Sequence, residues 1–445
     1  MPMKKYFCLS FLMAGNLLLA SVIIAQNKTT RISTDTTQTT IKTAIQKLKA
    51  FKKPSWCTTP ALQNTRKIII EKCIQTLYHN YLKANAAIFH DGVVPSPTTF
   101  DGLWAWDSWK HAYALAYFDK ELAENSVRAM YDYQDAAGMI ADCIFTDTGR
   151  NNYRDTKPPL SAWAVYKIYQ QTKDTNFLRE MFPKLLKYHY WWYINRDHDQ
   201  NGLCEYGSTD NTLEAARWES GWDNAVRFDQ ALSLKNSEHA YSMNVESVDL
   251  NSYLFLEKNQ LAKIALLLGK DEIAVKLKKE TGKLTQQIQS LFYDSATSFF
   301  YDIQLEDKNF IMSKEASGWL PLYAGIATRE QAEKVKNTML NENYFNTFIP
   351  LPTLSKDNLK FDPAKGYWRG PVWLDQFYFG YKGLKNYGYT KEADGLLVKL
   401  LQHAEQITKA DGALRENYNP INGKGQGAKD FGWSAALLLM MMLDE

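Results

Sequence analysis

Excess charge of either sign is missing from this sequence. Its 445 residues hold 52 Lys+Arg against 49 Asp+Glu, and no basic run is clustered with aromatics. A nucleic acid is therefore not an expected partner. Cysteine is scarce: there are five, and Cys8 lies too early in an N-terminal apolar stretch for a lipid anchor. Cys57, Cys73, Cys143 and Cys204 follow that stretch. A chain this long does not need them as a scaffold, and although Cys57 with Cys73 suits a bridge, four cysteines allow three pairings. The histidines (His79, His90, His111, His189, His198, His239, His403) are isolated and lack zinc spacing, and His111 is expected to be structural. Strand-like alternation is rare and short, and no repeat consensus recurs.

What is present begins with Lys4 and Lys5, an apolar stretch interrupted by Gly15 and Asn16, and small residues near Ala25. Residues 1–25 read as a secretory signal peptide. Residues 26–53 are rich in Thr, Lys and Gln and read as a linker or loosely held arm. The remainder, 54–445, is predicted to be one catalytic domain, because 45% hydrophobic and 23% charged residues suit a large buried core. No membrane span is expected once the signal is removed, so the product is expected to be secreted or periplasmic.

Helical periodicity predicts helices over 64–84, 104–118, 119–135, 159–172, 174–195, 245–267, 271–292, 315–325, 328–340, 371–386, 390–408 and 431–443. Several begin on clean signals, such as Pro158-Pro159, Asp174-Thr175 and Pro371. Short polar turns alternate with long links rich in Gly, Trp and Asp. Six helical hairpins arranged in a ring satisfy that alternation, with the long links gathered on one face. The expected fold is all-α, an (α/α)6 barrel.

Aromatics concentrate in or beside those links, in FDGLWAWDSWKHA (100–112), RWESGWDNAVRF (217–228), GYWRGPVW (366–373) and DFGWS (430–434). Each cluster mixes them with Asp, Arg or Gly. A sugar ring explains the mixture, since its C–H face stacks on aromatics while its hydroxyls require fixed polar groups. Glycoside hydrolysis needs one protonated and one ionised carboxyl. An acid packed against tryptophan has its pKa raised by desolvation. Asp223, beside Trp222 and near Trp218, has such surroundings and is the candidate acid. Glu416, in the Gly/Asn-rich link 411–434 and flanked by Arg415 and Tyr418, is the candidate partner, with Arg415 expected to hold it ionised.

The segments WAWDSWKHAYALAYFDKELAENSVRAMYDYQ, GMIADCIF, WESGWDNAVRFD, VDLNSYLFLEK, GYWRGPVW and RENYNPINGKG, in order over about 100 to 440, resemble glycoside hydrolase family 63. The family includes processing glucosidases of the N-glycan pathway, bacterial α-glucosidases and mannosylglycerate hydrolases. The resemblance implies an (α/α)6 barrel and an inverting exo-acting α-glycosidase, most simply an α-glucosidase. It implies Asp223 as general acid and Glu416 as general base, their carboxyl groups roughly 6.5–9.5 Å apart to admit water. It places Trp106, Asp107, Trp222, Trp368, Arg369 and Trp433 around the sugar. No counterpart is expected here of the β-sandwich that larger members carry ahead of the barrel. Compact size is closer to the mannosylglycerate hydrolases, and motif wording is closer to the bacterial α-glucosidases.

The stretch NRDHDQNGLCEYGS (195–208) sets Asp197, Asp199 and Asn201 at the first, third and fifth places of an oxygen-ligand loop, with Gly202 at the turn. The Leu203 carbonyl and Glu205 continue the pattern, but Ser208 stands where a complete loop has Glu. The family resemblance points to Glu246 for the missing ligand. A structural calcium ion is expected there, with no cofactor in catalysis. Alternative readings are a mannosylglycerate hydrolase or trehalase-like enzyme on the same barrel, and a non-catalytic carbohydrate-binding protein, which would keep the tryptophans and lose the acids.

Overall fold

A computed structural model describes residues 34–48 and 51–444. The proposed signal segment, 1–25, lies outside the described residues. Fourteen α-helices occur among them: α1 (Thr34–Leu48), α2 (Pro60–His79), α3 (Ala105–Leu115), α4 (Lys120–Tyr131), α5 (Ser161–Thr172), α6 (Thr175–Asn195), α7 (Leu213–Ser220), α8 (Val248–Leu267), α9 (Asp271–Leu291), α10 (Leu320–Ala324), α11 (Arg329–Met339), α12 (Leu374–Asn386), α13 (Thr390–His403) and α14 (Gly432–Leu443).

Six of these close a ring by contact, in the order α3, α5, α8, α10, α12, α14 and back to α3. Burial marks the inner position most clearly in two of them. All eleven residues of α3 and all twelve of α14 are buried, as expected of helices with neighbours on every side. The outer helices carry a single apolar stripe instead. In α9 the buried positions are Ala274, Leu277, Thr281, Leu284 and Ile288, a helical three-four spacing. The molecule is an (α/α)6 barrel.

Local chemistry sets the helix ends. Asp119, Asp174 and Thr328 accept N-cap hydrogen bonds from the first turns of α4, α6 and α11. Gly325 ends α10 in the left-handed conformation. All twelve predicted helices are present, with ends shifted by a few residues and with α10 shortened behind a 3-10 turn at Ala316–Trp319. The sixth pair differs from the expected hairpins, because α2 packs on α14 and so joins the two ends of the barrel sequence. Within the stretch read as a loose arm, residues 34–48 form α1, which lies on α2 and buries Ala44 and Leu48.

The long links carry short strands that alternation did not reveal. Ala240–Glu246 pairs with Glu205–Ser208, Ser233–Ser237 and Ile303–Gln304. Arg415–Tyr418 lies between Val372–Trp373 and Gly425–Lys429. Cys57, Cys73, Cys143 and Cys204 are buried and unbridged. Among the described residues no helix is long and apolar enough to cross a membrane.

Candidate active site

Five of the six long links, with the first turns of α3 and α14, converge on one pocket. Its walls include Trp104, Trp106, Asp107, Lys157, Gly221, Asp223, Tyr367, Trp368, Trp373, Glu416 and Trp433. Two acids 193 positions apart in sequence thus meet in one cavity walled by tryptophan.

Asp223 reaches the pocket through the end of α7. That helix stops at Gly221 in a left-handed conformation (φ +72°), and a Cβ there would collide with the Trp106 indole, so this turn requires glycine. Below it, buried Glu219 forms a paired ion bridge to Arg196, Nε to Oε1 and Nη2 to Oε2 at 2.7 Å each, and accepts the Gly207 N–H at 2.7 Å. Glu219 is an anchor for the turn. Asn224 ties the same segment to the 366–369 loop, donating to the Gly366 carbonyl and accepting from the Trp368 N–H.

Glu416 is aimed by a register shift. Arg415 pairs with Lys429 and Asn417 with Gln426, so the strand is irregular at Glu416 itself. Its Oε2 accepts the Ala428 N–H at 2.7 Å, and its Oε1 accepts the Tyr367 hydroxyl at 3.1 Å. The side chain lies so close over Gly427 (φ +65°) that a Cβ there would overlap the carboxylate.

The tryptophans form one packed group. Trp368 and Trp373 are stacked at 4.1 Å with planes 5° apart, and Trp106 meets Trp433 edge-on at 5.0 Å. Beneath them the Lys110 ammonium lies 3.4 Å from the Trp106 centroid and 3.9 Å from that of Trp433, and pairs with buried Asp375 at 2.8 Å. This cation-π contact fixes the pocket floor.

Desolvation governs the acids. Burial pushes the Asp223 carboxyl up to about 6; the Lys157 ammonium opposes the shift, and the Asp142 and Glu416 charges add to it. Burial also raises Glu416, restrained by its bonds from Ala428 and Tyr367 and then by the charge of Arg415. Asp107, on the first turn of α3, is pushed up to about 7 by burial against the pull of Lys110 and Lys157.

Of the residues expected around a sugar, Trp106, Asp107, Trp368 and Trp433 line the pocket with the two acids. Trp222 is buried behind the wall, its ring tilted 31° against Trp368 at a centroid distance of 4.9 Å. Arg369 is not among the lining residues; its guanidinium bonds the Asn224 carbonyl and Asp229. Arg415 donates to the Gln426 and Gly427 carbonyls, and its charge opposes the rise of Glu416 less than the bonds from Ala428 and Tyr367 do. Tyr367, Lys157 and Trp373 escaped sequence reasoning. Tyr367 and Trp373 stand in the aromatic GYWRGPVW cluster, but nothing local marks them as facing the acids, and Lys157 precedes a Pro pair that reads only as a helix start.

The oxygen-ligand loop lies apart from this pocket. Asp199, Glu205 and Glu246 each bring a carboxylate oxygen within 4.8 Å of the others. Glu205 and Glu246 sit directly opposite across antiparallel strands, an unfavourable placement for like charges. Buried oxygens of Asp197, Glu205 and Glu246 accept no hydrogen bond from the protein. An all-oxygen donor set of this kind fits a hard cation. Lys308 supplies a positive charge at its edge, 2.7 Å from Glu246 and 3.2 Å from Asp199. Asn201 donates to Asp199 and Glu246 through its side chain, and the Leu203 N–H is bound to Asn201 Oδ1.

The model of the "Mannosylglycerate hydrolase MGH1-like glycoside hydrolase domain" matches residues 101–434. Mannosylglycerate hydrolase MGH1 of Selaginella moellendorffii is 25% identical over 410 residues, covering 78% of this chain and 81% of that one. The mannosylglycerate hydrolase of Thermus thermophilus is 25% identical over 416 residues, covering 78% and 95%. A solved Thermus thermophilus mannosylglycerate hydrolase in complex with glucose has the same fold, with a TM-score of 0.70 at 24% identity over 84% of this chain and 99% of that one. With the barrel and pocket agreeing with the matched span, the chain belongs to glycoside hydrolase family 63 through its mannosylglycerate hydrolase MGH1-like glycoside hydrolase domain.

Proposed function

We propose that this glycoside hydrolase is an inverting exo-acting α-glycosidase, with an α-glucoside as the substrate read first. The observation that carries the proposal is the pairing of Asp223 and Glu416 in one tryptophan-walled pocket. Asp223, pushed up to about 6, holds a proton in mildly acidic solution and gives it to the departing glycosidic oxygen. Glu416, steadied by Tyr367 and Ala428, takes a proton from the water that attacks the anomeric carbon. The bond from that carbon to the leaving oxygen breaks as the bond to water forms, and the configuration inverts. Trp106, Trp368 and Trp433 offer apolar faces to the ring, and Asp107 a hydrogen-bonding group to its hydroxyls.

A second reading, hydrolysis of mannosylglycerate, is favoured by the family match and by the names of the relatives. Proton NMR of the anomer first released from α-linked glucose disaccharides and from mannosylglycerate separates the two. Early β-anomer from one substrate supports inversion and identifies the sugar; early α-anomer overturns inversion. Asp223→Asn is expected to abolish turnover while retaining binding, and unchanged turnover removes the acid assignment.

The donor set around Asp199, Glu205 and Glu246 supports a structural calcium ion, with Asp197, Asn201 and the Leu203 carbonyl as further ligands. Such an ion would neutralise the facing acids and tie the loop after α6 to the strand before α8. The N-terminal pattern supports export, which N-terminal sequencing of the mature protein tests.

A further inference from the structure

Phe100, Trp104, Lys157 and Asp223 line both the pocket, of about 90 Å³, and a second cleft of about 810 Å³. We propose that this cleft is the leaving-group subsite and that it selects an uncharged sugar over a carboxylate-bearing aglycone such as glycerate. The proposal rests on Asp223 as general acid. An acid that protonates the glycosidic oxygen stands between the sugar it releases and the group that departs. Asp223 lines both spaces, so the cleft lies where the departing group must be.

The walls suit a sugar. Phe100, Trp104, Phe145, Tyr153 and Trp218 line the cleft, and Trp104 is held edge-on between Phe100 and Phe145 at 5.4 Å each. Trp218 is fixed at its backbone, where its carbonyl accepts from Lys157, and at its ring, which the Arg154 guanidinium overlies at 5.2 Å. Rigid aromatic faces bind pyranose C–H surfaces without ordering cost. A three-carbon acid has no such surface.

The charges point the same way. Three cations line the cleft, Arg150, Arg154 and Lys157, and each is already engaged by carboxylates. Arg150 forms a forked pair with Asp101 at 2.9 and 3.1 Å. Arg154 bonds Asp210 at 2.5 Å and Glu214 at 3.2 Å. Lys157 bonds Asp142 at 2.8 Å and faces Asp155 at 3.7 Å. An incoming carboxylate would have to displace one of these partners or lie beside them, at a Coulombic cost that is greatest beside the buried Lys157, Asp142 and Asp155. Neutral hydroxyls incur no such cost.

The test compares substrates that share the released sugar. These are α-mannobiose with α-mannosyl-D-glycerate, α-linked glucose disaccharides with α-glucosyl-D-glycerate, and the two α-glycosyl fluorides, whose leaving atom does not fill the cleft. The expected result is a kcat/KM at least about tenfold higher for the disaccharide of the preferred sugar than for its glycerate conjugate. Trp218→Ala, and independently Tyr153→Ala, is expected to lower disaccharide kcat/KM about tenfold more than fluoride kcat/KM. A preferred glycerate conjugate, or equal losses on disaccharide and fluoride in both variants, overturns the subsite. Failure to hydrolyse the fluorides would instead indict the catalytic assignment. In that event titration of tryptophan fluorescence still reads the cleft: saturation by the disaccharides that weakens in W218A sustains the proposal, and saturation by D-glycerate alone overturns it.

Discussion

Tyr367 donates its hydroxyl to Glu416 Oε1 at 3.1 Å from a left-handed backbone, φ +58°. A bulky residue in that region stores of order 1–3 kcal/mol, tolerated where the surroundings over-determine it. The stacked Trp368–Trp373 pair and the Trp373 indole N–H, bound to the Tyr367 carbonyl at 2.9 Å, provide that constraint.

Removing this hydroxyl has a direction that can be measured. The bond stabilises ionised Glu416 and so lowers its pKa. In Tyr367→Phe the acidic limb of the kcat/KM profile is expected to move to higher pH, and kcat to fall roughly tenfold. An acidic limb that stays in place while only KM changes would make Tyr367 a substrate contact instead.

The basic limb should report Asp223. A general acid must be protonated, and its pKa is raised to about 6, so activity is retained below that pH and lost as pH rises through it. Asp107 is also raised, to about 7. Asp107→Asn is expected to raise KM and leave the limb in place. A limb that vanishes in D107N would transfer the acid role to Asp107.

At Gly221 steric contact and backbone sign coincide, since a Cβ would enter the Trp106 ring at a positive φ. Gly221→Ala is expected to cost about 1–3 kcal/mol and to reduce turnover more than thermal stability suggests, because Asp223 lies two residues on. Glu219→Ala, which leaves Arg196 buried without its partner, should cost about 3–5 kcal/mol. Denaturant unfolding measures both.

Calcium should raise the thermal midpoint of protein treated with a chelator, and Glu246→Gln should abolish the rise. Lys308→Met removes a competing positive charge beside Glu246 and Asp199, so it is expected to tighten calcium binding as read by titration calorimetry. Identical midpoints with calcium and with chelator would reassign the acid cluster to the ion pairs of Lys308.

Local chemistry by itself determined the helices and marked Asp223 as a candidate acid, while Glu416 was singled out with the help of the family resemblance. A three-four apolar rhythm as in α9 needs only one buried side, and α14, with Ser434 as its one polar side chain, needs burial all round, so both can be read along the chain. Asp223 stood out because an acid among tryptophans is an unfavourable choice without a task, and the structure brings it into one pocket with Glu416. Only tertiary structure decided what depends on partners far away in sequence. Arg369 stands beside Trp368 in the same motif, yet it turns to Asp229, 140 residues away. Trp222 neighbours Asp223, yet it lies behind Trp368. The closure of α2 on α14, the facing of Glu205 with Glu246, and the placing of Tyr367 on Glu416 follow from long-range pairing. Periodicity reports which face of an element is buried; it carries no information about which distant segment buries it.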